Sequence, residues 1–576
     1  MTQISSVLSP VSTRLQRGLA VIVVLLALYV AVTSMIGAVL NYSPAPFWDM
    51  WDGYLNFYTQ VTDGVLRAWW TQHAEHRLIV GNIFFWIDLK FFKGTGAFLI
   101  VTNFVFVASI AALLARLALK DTPSDPNRTM RAGLIAGLFG LCFSWIQQEN
   151  LNWAFQASFF PSLLIPLLTF TMFEQAIRTQ RARLFLLSIF LGALSAGTMA
   201  NGLAVLPLLG IASLLLRQPR TWIALIWTTA IAVVGMYFIG YKTPALNGSI
   251  SESVFQQPWV MVRYVLTYIG GAAGYAFGNR SQTLAEVSGA IGLLLFSFAC
   301  WSHVKRPDRS GHGSAALLFL CFIVISAIAV SGGRVKFGLD QAMSSRYMTY
   351  SLAFWAALIV TFRPTFRQRK LGDAGALLFS AVFISALLPN QSDALKNADE
   401  KNLNKLMAAL AFEIGVRDEQ QISYLFPWVD VGFVLAERPR ARNLSIFGDP
   451  RFADVREKMG KDAGGTDTLA ECFANLEQPT SIPGELHYRR ISGTITAQTA
   501  DVIPTTVSLI DQTGTLVGYG LVGEAAPNGS HPGTENSRPF KAYLSAGAGP
   551  RIMIRGNAPA CVVTEHSPTR YFQLNE

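Results

Sequence analysis

Repeated long apolar runs constrain the fold of this chain more than any other feature of its sequence. A helix needs about 20 residues to cross a bilayer, and somewhat fewer when its ends are polar. Eleven runs approach or reach this length, near 19–40, 96–119, 131–147, 158–177, 184–199, 202–216, 221–240, 284–302, 314–331, 347–362 and 373–389. The sequence therefore predicts a mainly α-helical, polytopic membrane bundle with about 11 transmembrane helices.

The distribution of basic residues predicts the orientation of these helices. Lys and Arg occur in small groups between apolar runs, for example Arg178, Arg181 and Arg183, and such groups are typical of cytoplasmic loops. The odd number of spans then places the N-terminus in the cytoplasm and the C-terminus outside. Because the net charge of +10 is dispersed in this way, we expect no nucleic-acid partner. We expect a multi-pass protein of the bacterial cytoplasmic membrane, in contact with membrane lipids.

Two shorter apolar stretches, 78–92 and 262–277, fit this scheme only if they do not cross the membrane. The first carries charged residues and the second is interrupted by glycines. We interpret both as interfacial or re-entrant juxtamembrane helices.

The last third of the chain has a different pattern. We predict a transmembrane catalytic domain over 1–390, an extracytoplasmic helical linker region over 391–483, and an extracytoplasmic β-sandwich over 484–576, where short β-rich runs alternate with Gly, Pro and Asn. Cys472 and Cys561 are the only cysteines in this outer region. In an oxidising compartment they are expected to form a disulfide.

The stretch FWDMWDGYLNFYTQVTDGVLRAWWTQHAEHR, residues 47–77, combines acids, imidazoles and a guanidinium with aromatics. Such a mixture can provide a base, hydrogen-bond donors and stacking surfaces for a sugar ring. The candidate residues here are Asp49, Asp52, His73, Glu75, His76 and Arg77. The alternative interpretation is an aromatic belt at the membrane surface with a few solvated charges.

Two further polar segments are candidates for substrate binding. In ENLNWAFQ, the side chains of Glu149, Asn150 and Gln156 can bind a sugar, although helix capping explains them equally well. In GGRVKFGLDQAMSSRY, cations occur in a predicted outer loop, where guanidinium groups could bind phosphate oxygens; the alternative is that they reach lipid headgroups or pair with Asp340. The candidates in this second segment are Arg334, Lys336, Arg346 and Tyr347.

These features together resemble the GT-C superfamily of polyprenyl-phosphate-sugar-dependent glycosyltransferases. The resemblance rests on the multispanning bundle, the acidic first outer loop, the juxtamembrane helices and the C-terminal outer domain. It implies an inverting transfer of a sugar from a polyprenyl-phosphate donor to a hydroxyl of an envelope glycan or glycolipid acceptor. It also implies an Asp of the first outer loop as catalytic base, either Asp49 or Asp52; Met50 and Trp51 separate the two, unlike the adjacent acidic pair of several branches.

Other functions remain open from the sequence. A transporter or flippase of lipid-linked sugars is the main alternative. Such proteins usually carry ionisable residues or broken helices near the midplane, whereas the spans predicted here are nearly free of charge away from their ends. An assembly protein acting through its outer domain is another. No cofactor is expected: His73, Glu75 and His76 could ligate a divalent metal, but further ligands are not evident.

Overall fold

A computed structural model of the chain describes residues 2–120, 128–244, 248, 250–305, 311–367, 372–396, 398–464, 470–497, 503–524, 536–564 and 572–574. The chain divides into two compact units. The bundle unit comprises Met1–Val39, Arg67–Phe85 and Phe98–Lys396. The sheet unit comprises Leu40–Leu66, Trp86–Ala97 and Asn397–Glu576.

Helices make up most of the described structure. They are α1 Thr2–Leu40, α2 Phe57–Thr62, α3 Ile79–Phe91, α4 Ala97–Leu119, α5 Arg128–Cys142, α6 Gln148–Asn152, α7 Pro161–Thr179, α8 Ala182–Ser195, α9 Val205–Leu215, α10 Arg220–Phe238, α11 Ile250–Gln256, α12 Pro258–Gly274, α13 Gln282–Val304, α14 Ser314–Arg334, α15 Ser345–Arg367, α16 Gly372–Gln391, α17 Asp399–Ile414, α18 Glu419–Ile422, α19 Val429–Ala441 and α20 Val455–Lys458.

Within the described residues, eight helical segments are long and apolar enough to cross a membrane, rather than the eleven that the sequence predicted. The runs 184–199 and 202–216 form the shorter apolar helices Ala182–Ser195 and Ala200–Leu215. The run 347–362 lies in α15, whose first turns include the polar residues Arg346, Tyr347 and Thr349. The apolar helices suggest a membrane protein.

One continuous apolar core joins most helices of the bundle unit. It includes the fully buried rings of Phe160, Phe170 and Phe319 together with Trp145. The interrupted stretch 262–277 forms most of α12, whose Tyr264 and Tyr268 belong to this core. This helix is therefore packed inside the bundle unit.

Glycines allow α12 and α13 to approach closely. A Cβ atom added at Gly270 would lie 2.0 Å from the carbonyl oxygen of Ala285, and one at Gly289 would lie 2.0 Å from that of Leu266. Backbone atoms cannot yield as a flexible side chain can. The two helices are therefore in contact through their backbones, a packing mode frequent in membranes.

We expect Gly289→Ala to destabilise the bundle unit by about 1 to 3 kcal/mol, because the added methyl group must separate α12 from α13. Gly235→Ala in α10 is the matched control, since a Cβ there meets nothing within 4 Å. The thermal unfolding midpoints of the two variants in detergent measure the difference. Equal midpoints would contradict the close packing.

The described strands of the sheet unit form a single sheet. Its strands are β1 Ala470–Leu476, β2 Thr480–Ser481, β3 Tyr488–Thr496, β4 Thr506–Asp511, β5 Leu516–Val522, β6 Ser537–Ser545, β7 Arg551–Asn557, β8 Cys561–Thr564 and β9 Phe572–Gln573. The order is β1-β8-β7-β4-β5-β6-β3-β2, with β9 on β7. Strand β1 pairs with both β8 and β3, so the sheet rolls back toward its own first strand.

The predicted β-sandwich is therefore corrected to one rolled sheet, which begins at Ala470 rather than near Gly484. Its core consists of inward-facing apolar residues such as Ile491, Leu509 and Ile554. Alternation in the sequence identifies strands that have one buried face, but a sandwich and a rolled sheet share this pattern.

The predicted disulfide between Cys472 and Cys561 is confirmed, with a Cα to Cα distance of 5.9 Å. It joins β1 to β8, which run parallel. The bond closes a loop with a sequence separation of 89 residues.

Replacing both cysteines by alanine is expected to destabilise the sheet unit by about 4 to 5 kcal/mol in the chain-entropy model. Cys300→Ala, which removes a free thiol of the bundle unit, is the control and should have a much smaller effect. Thermal unfolding of the three proteins measures this. Intact-mass analysis of wild type that finds both thiols reduced after maturation outside the cytoplasm would contradict the bond.

Candidate functional site

The residues expected from the sequence to form the site belong to both units. The sheet unit holds Asp49 and Asp52. The bundle unit holds His73, Glu75, His76, Arg77, Glu149, Asn150, Gln156, Arg334, Lys336, Arg346 and Tyr347.

In the bundle unit, charged residues from distant parts of the chain gather around Tyr347. The guanidinium groups of Arg334 and Arg346 and the carboxylates of Glu75 and Glu149 all lie within electrostatic range of its hydroxyl. We call these five residues the Tyr347 cluster. Two cations and two anions are thus placed at the start of α15.

Each cation of the Tyr347 cluster has a carboxylate neighbour. Arg334 Nη2 donates to Glu75 Oε1 at 3.1 Å, and Arg346 Nε lies 3.7 Å from Glu149 Oε1. All four side chains are between 24% and 35% exposed. Partly exposed pairs of this kind contribute only about 0 to 1 kcal/mol. The carboxylates can therefore be exchanged for another anion at little loss of stability.

Local structure explains how the two arginines come together. Arg334 is the last residue of α14 and Arg346 is the second residue of α15. Two short helical turns, Val335–Phe337 and Leu339–Met343, connect the two helices. Lys336 lies in this connection, is exposed, and has its Nζ 5.2 Å from the Phe337 ring centroid. Arg334, Lys336 and Arg346 thus lie within thirteen residues of sequence, in the connection and at the helix ends that it joins.

The segment ENLNWAFQ is anchored by Asn150. Its Nδ2 donates to the carbonyl of Arg346 at 2.7 Å and to Thr349 Oγ1 at 2.6 Å, and the residue is fully buried. The amide thereby fixes α6 against α15 and holds Glu149 beside Arg346. Asn150 is a positioning residue in this structure. Gln156 is buried as well, at 4% exposure.

His76 is oriented by the backbone. The N–H of Ala200 donates to His76 Nδ1 at 3.1 Å, so the neutral ring carries its proton on Nε2. This nitrogen lies 3.5 Å from Glu75 Oε1. His73 lies in the same tight turn, where paired backbone hydrogen bonds of 2.9 Å join it to His76, and Ala74 has a φ of 48°.

A metal site is not indicated at this turn. Across the described ranges, no group of three or more His, Cys, Asp or Glu side chains is arranged to hold a metal ion.

Arg77 is buried and bonded to the backbone of the protein itself. It is 3% exposed, and its guanidinium donates to the carbonyls of Tyr237, Trp70 and Ile239 at 2.8, 2.5 and 2.7 Å. Two of these carbonyls lie at the C-terminal end of α10, where helix carbonyls need donors. Arg77 therefore closes that helix end, and we do not include it among the substrate-binding residues.

The sequence did not single out Tyr264 of α12. This tyrosine is fully buried and lies within electrostatic range of Arg334, Arg346 and Tyr347. Its apolar sequence neighbours gave no indication of this proximity, because Arg334, Arg346 and Tyr347 lie far from it in the chain.

In the sheet unit, the segment around Asp49 is packed and not loosely exposed. Trp51 is fully buried, with its ring 4.9 Å from Phe412 and 6.2 Å from Phe447. An aromatic belt residue would face lipid headgroups, so the belt interpretation does not fit Trp51.

The two candidate bases differ in exposure. Asp49 is half-buried and precedes a helical turn, Met50–Asn56, that is widened by the hydrogen bond from the Phe57 N–H to the Asp52 carbonyl. Widened turns of this kind occur frequently at functional sites. Asp52 is exposed and accepts a hydrogen bond from Asn56 Nδ2 at 2.9 Å. The more shielded carboxylate is that of Asp49.

Asp88 is a buried acid that the sequence analysis did not propose. Its Oδ2 accepts hydrogen bonds from Tyr54 Oη and, at 3.2 Å, from the Gly96 N–H. Burial raises the pKa of Asp88 to about 6, although both hydrogen bonds oppose the rise. Its Oδ1 is buried without a hydrogen-bond partner among the described residues.

This pKa predicts a pH-dependent stability. Because the folded-state pKa exceeds the unfolded value of about 3.9, the stabilisation is fully present below about pH 4 and is lost as the pH rises through about 6. Asp88→Asn cannot ionise, so its unfolding free energy relative to wild type should increase by up to about 3 kcal/mol between pH 4 and pH 7. Thermal midpoints measured across this range test it. The exposed Asp454→Asn is the control, and a constant difference for Asp88→Asn would contradict the raised pKa.

Comparison with known proteins does not assign the chain to a family. No protein-family description matches the chain, and no curated protein matches it. The functional interpretation therefore depends on the residues and their geometry.

Proposed function

We propose that this protein is an inverting, membrane-embedded glycosyltransferase that moves a sugar from a polyprenyl-phosphate carrier to a hydroxyl of an envelope glycan or glycolipid. The observation that carries the proposal is the pair of partly exposed guanidinium groups of Arg334 and Arg346, each beside a carboxylate and separated by one short connection, in a bundle unit of long apolar helices. A lipid-linked donor presents its phosphate at the end of an apolar chain. Guanidinium groups can bind such a phosphate, while neighbouring apolar helices can contact the lipid chain.

The two arginines would bind the phosphate of the donor. As the bond between the sugar carbon and the phosphate oxygen breaks, the phosphate gains a negative charge, and nearby cations stabilise it. The carboxylates of Glu75 and Glu149 hold the guanidinium groups in place before the donor arrives. The donor phosphate then replaces them as the partner.

Asp49 would act as the general base. In the reaction, the acceptor oxygen bonds to the sugar carbon on the face opposite the leaving phosphate, and the proton of the acceptor hydroxyl passes to the carboxylate. The position of Asp49 supports this role, because the half-buried residue directly precedes the widened turn Met50–Asn56, and turns of this kind occur frequently at functional sites. The resemblance noted from the sequence implies a base in this segment, either Asp49 or Asp52.

Incubation of the purified protein with a panel of radiolabelled polyprenyl-phosphate sugars and an envelope extract tests the proposal. We expect one or a few donors to label the extract. Arg183→Ala, which removes an exposed cation of the bundle unit, should retain that transfer. Absence of transfer from every donor in the panel, with folded protein, would contradict the proposal.

A further inference from the structure

The sheet unit contains a polar cleft with a cavity volume of 210 Å³. Its walls are the helices α17 and α18 on one side and the strands β3 and β6 on the other. The polar lining residues used below are Asn404, Gln420, Tyr424, Arg490, Ser492 and Lys541. None of them belongs to the site described above.

Arg490 is held rigidly at the wall of this cleft. Its Nε donates to Asp418 Oδ2 at 2.6 Å, its Nη2 donates to Asp418 Oδ1, and its Nη1 donates to Gln420 Oε1 at 2.9 Å. Asp418 is fully buried and also accepts a hydrogen bond from Tyr543 Oη at 3.1 Å. The guanidinium therefore has a fixed orientation, and one N–H on each Nη is left over by these contacts.

Lys541 is the second cation of the cleft. Its Nζ donates to Asn404 Oδ1 at 2.7 Å, while the backbone carbonyl of Asn404 accepts from Gln421 Nε2 at 2.6 Å. On β3, Ser492 is the cross-strand neighbour of Lys541. Fixed amide, ammonium and hydroxyl groups thus face one small space.

An aromatic side chain completes the cleft. Tyr424 is 44% exposed although it lines the cavity. An aromatic face next to hydrogen-bonding groups suits a ring that has both C–H and O–H surfaces. The cavity is smaller than the roughly 300–1,000 Å³ of sites for drug-sized ligands, so it has room for one small ring.

The charges near the cleft are balanced. Asp418 offsets Arg490. The carboxylate of Glu477 accepts a hydrogen bond at 2.5 Å from the Oγ of Ser492, which is the cross-strand neighbour of Lys541. A balanced site gives little preference to an anion, whereas its many donors and acceptors suit hydroxyl groups.

We propose that this cleft binds one neutral sugar ring of a glycan. Binding there requires no lipid-linked donor and no catalytic residue, so the site can be tested separately. Its use as an acceptor subsite would rest on the proposed glycosyltransferase function.

The test is titration of the full-length protein in lipid nanodiscs with a panel of neutral hexose and pentose oligosaccharides and, for comparison, with anionic oligosaccharides that contain uronic acids. Nanodiscs avoid detergents with sugar headgroups. We expect at least one oligosaccharide to bind without a donor, and Tyr424→Ala and Lys541→Gln each to weaken it about tenfold. The matched controls are Trp428→Ala and Lys458→Gln, whose exposed side chains lie outside the cleft.

Three results would overturn the inference: no neutral oligosaccharide binds, only anionic ligands bind, or the control variants weaken binding as much as the cleft variants. If Tyr424→Ala fails to fold, Lys541→Gln alone decides between these results. Failure of binding leaves the transferase proposal intact, since that proposal is measured by sugar transfer. Conversely, binding that persists in a protein without transfer activity supports the cleft alone.

Discussion

Asp49→Asn is expected to lower the rate of sugar transfer by roughly two or more orders of magnitude, while expression, thermal stability and donor binding stay close to wild type. Asn is nearly isosteric with Asp but cannot accept the proton of the acceptor hydroxyl. Asp49 is half-buried, and the nearby Trp51 is fully buried. Since the Asp and Asn side chains have nearly the same size and shape, the substitution preserves this local packing. Initial transfer rates at saturating donor and acceptor measure the effect.

Asp52→Asn is the matched control for this variant, because the exposed Asp52 lies in the helical turn that Asp49 precedes. We expect it to weaken acceptor use with a smaller loss of rate. If the two variants behave the other way round, Asp52 is the base. Full activity in both variants would exclude the proposed base chemistry from this segment.

Substitution of the arginines in the Tyr347 cluster has the second largest expected effect. Hydrogen bonds to a charged group are worth about 1.5 to 3 kcal/mol each, so Arg346→Ala and Arg334→Ala should each weaken donor use by roughly tenfold or more. Arg346→Lys keeps the charge but loses the planar fork, and should recover only part of the loss. Steady-state kinetics with varied donor separate KM from kcat.

Glu149→Gln is an informative control for these variants. It removes the carboxylate beside Arg346 without removing the guanidinium. If Arg346 binds phosphate, donor affinity should be retained or improved in Glu149→Gln. If donor use instead falls as far as in Arg346→Ala, the ion pair itself is what matters, and the phosphate-binding role is wrong.

The helical part of the fold was largely predictable, because crossing a bilayer demands long apolar segments. All eleven predicted runs lie largely in helices, although eight helical segments in the described part of the chain meet the length and hydropathy of a span. The position of α12 was harder to predict. Its glycines suggested an irregular segment, either interfacial or re-entrant. In the structure the segment is helical, and Gly270 allows close contact with α13.

The cysteine pair and the strands of the sheet unit were also predictable, but the topology of the sheet was not. Two cysteines in an outer region leave one pairing, and Cys472 and Cys561 form it. By contrast, the double pairing of β1 depends on contacts between the start and the end of the unit. No local pattern encodes such contacts.

The candidate site was predictable in its residue types and only partly in its contacts. Glu75 and Arg334 were each chosen from the sequence, but their ion pair joins positions 259 residues apart. Arg77 looked like a ligand-binding residue because charge among aromatics is unusual, yet its donors satisfy backbone carbonyls. Whether a polar side chain binds a ligand or the protein's own backbone depends on the fold around it.

The most direct test of the central claim is whether the protein breaks the bond between the sugar and the lipid phosphate. Purified protein in vesicles would receive a radiolabelled polyprenyl-phosphate sugar and an acceptor glycan, and free polyprenyl phosphate and labelled glycan would be measured together. A glycosyltransferase releases the two in equal amounts. Movement of the label across the vesicle membrane with its bond to the lipid intact, and without free polyprenyl phosphate, would contradict transfer and identify a flippase.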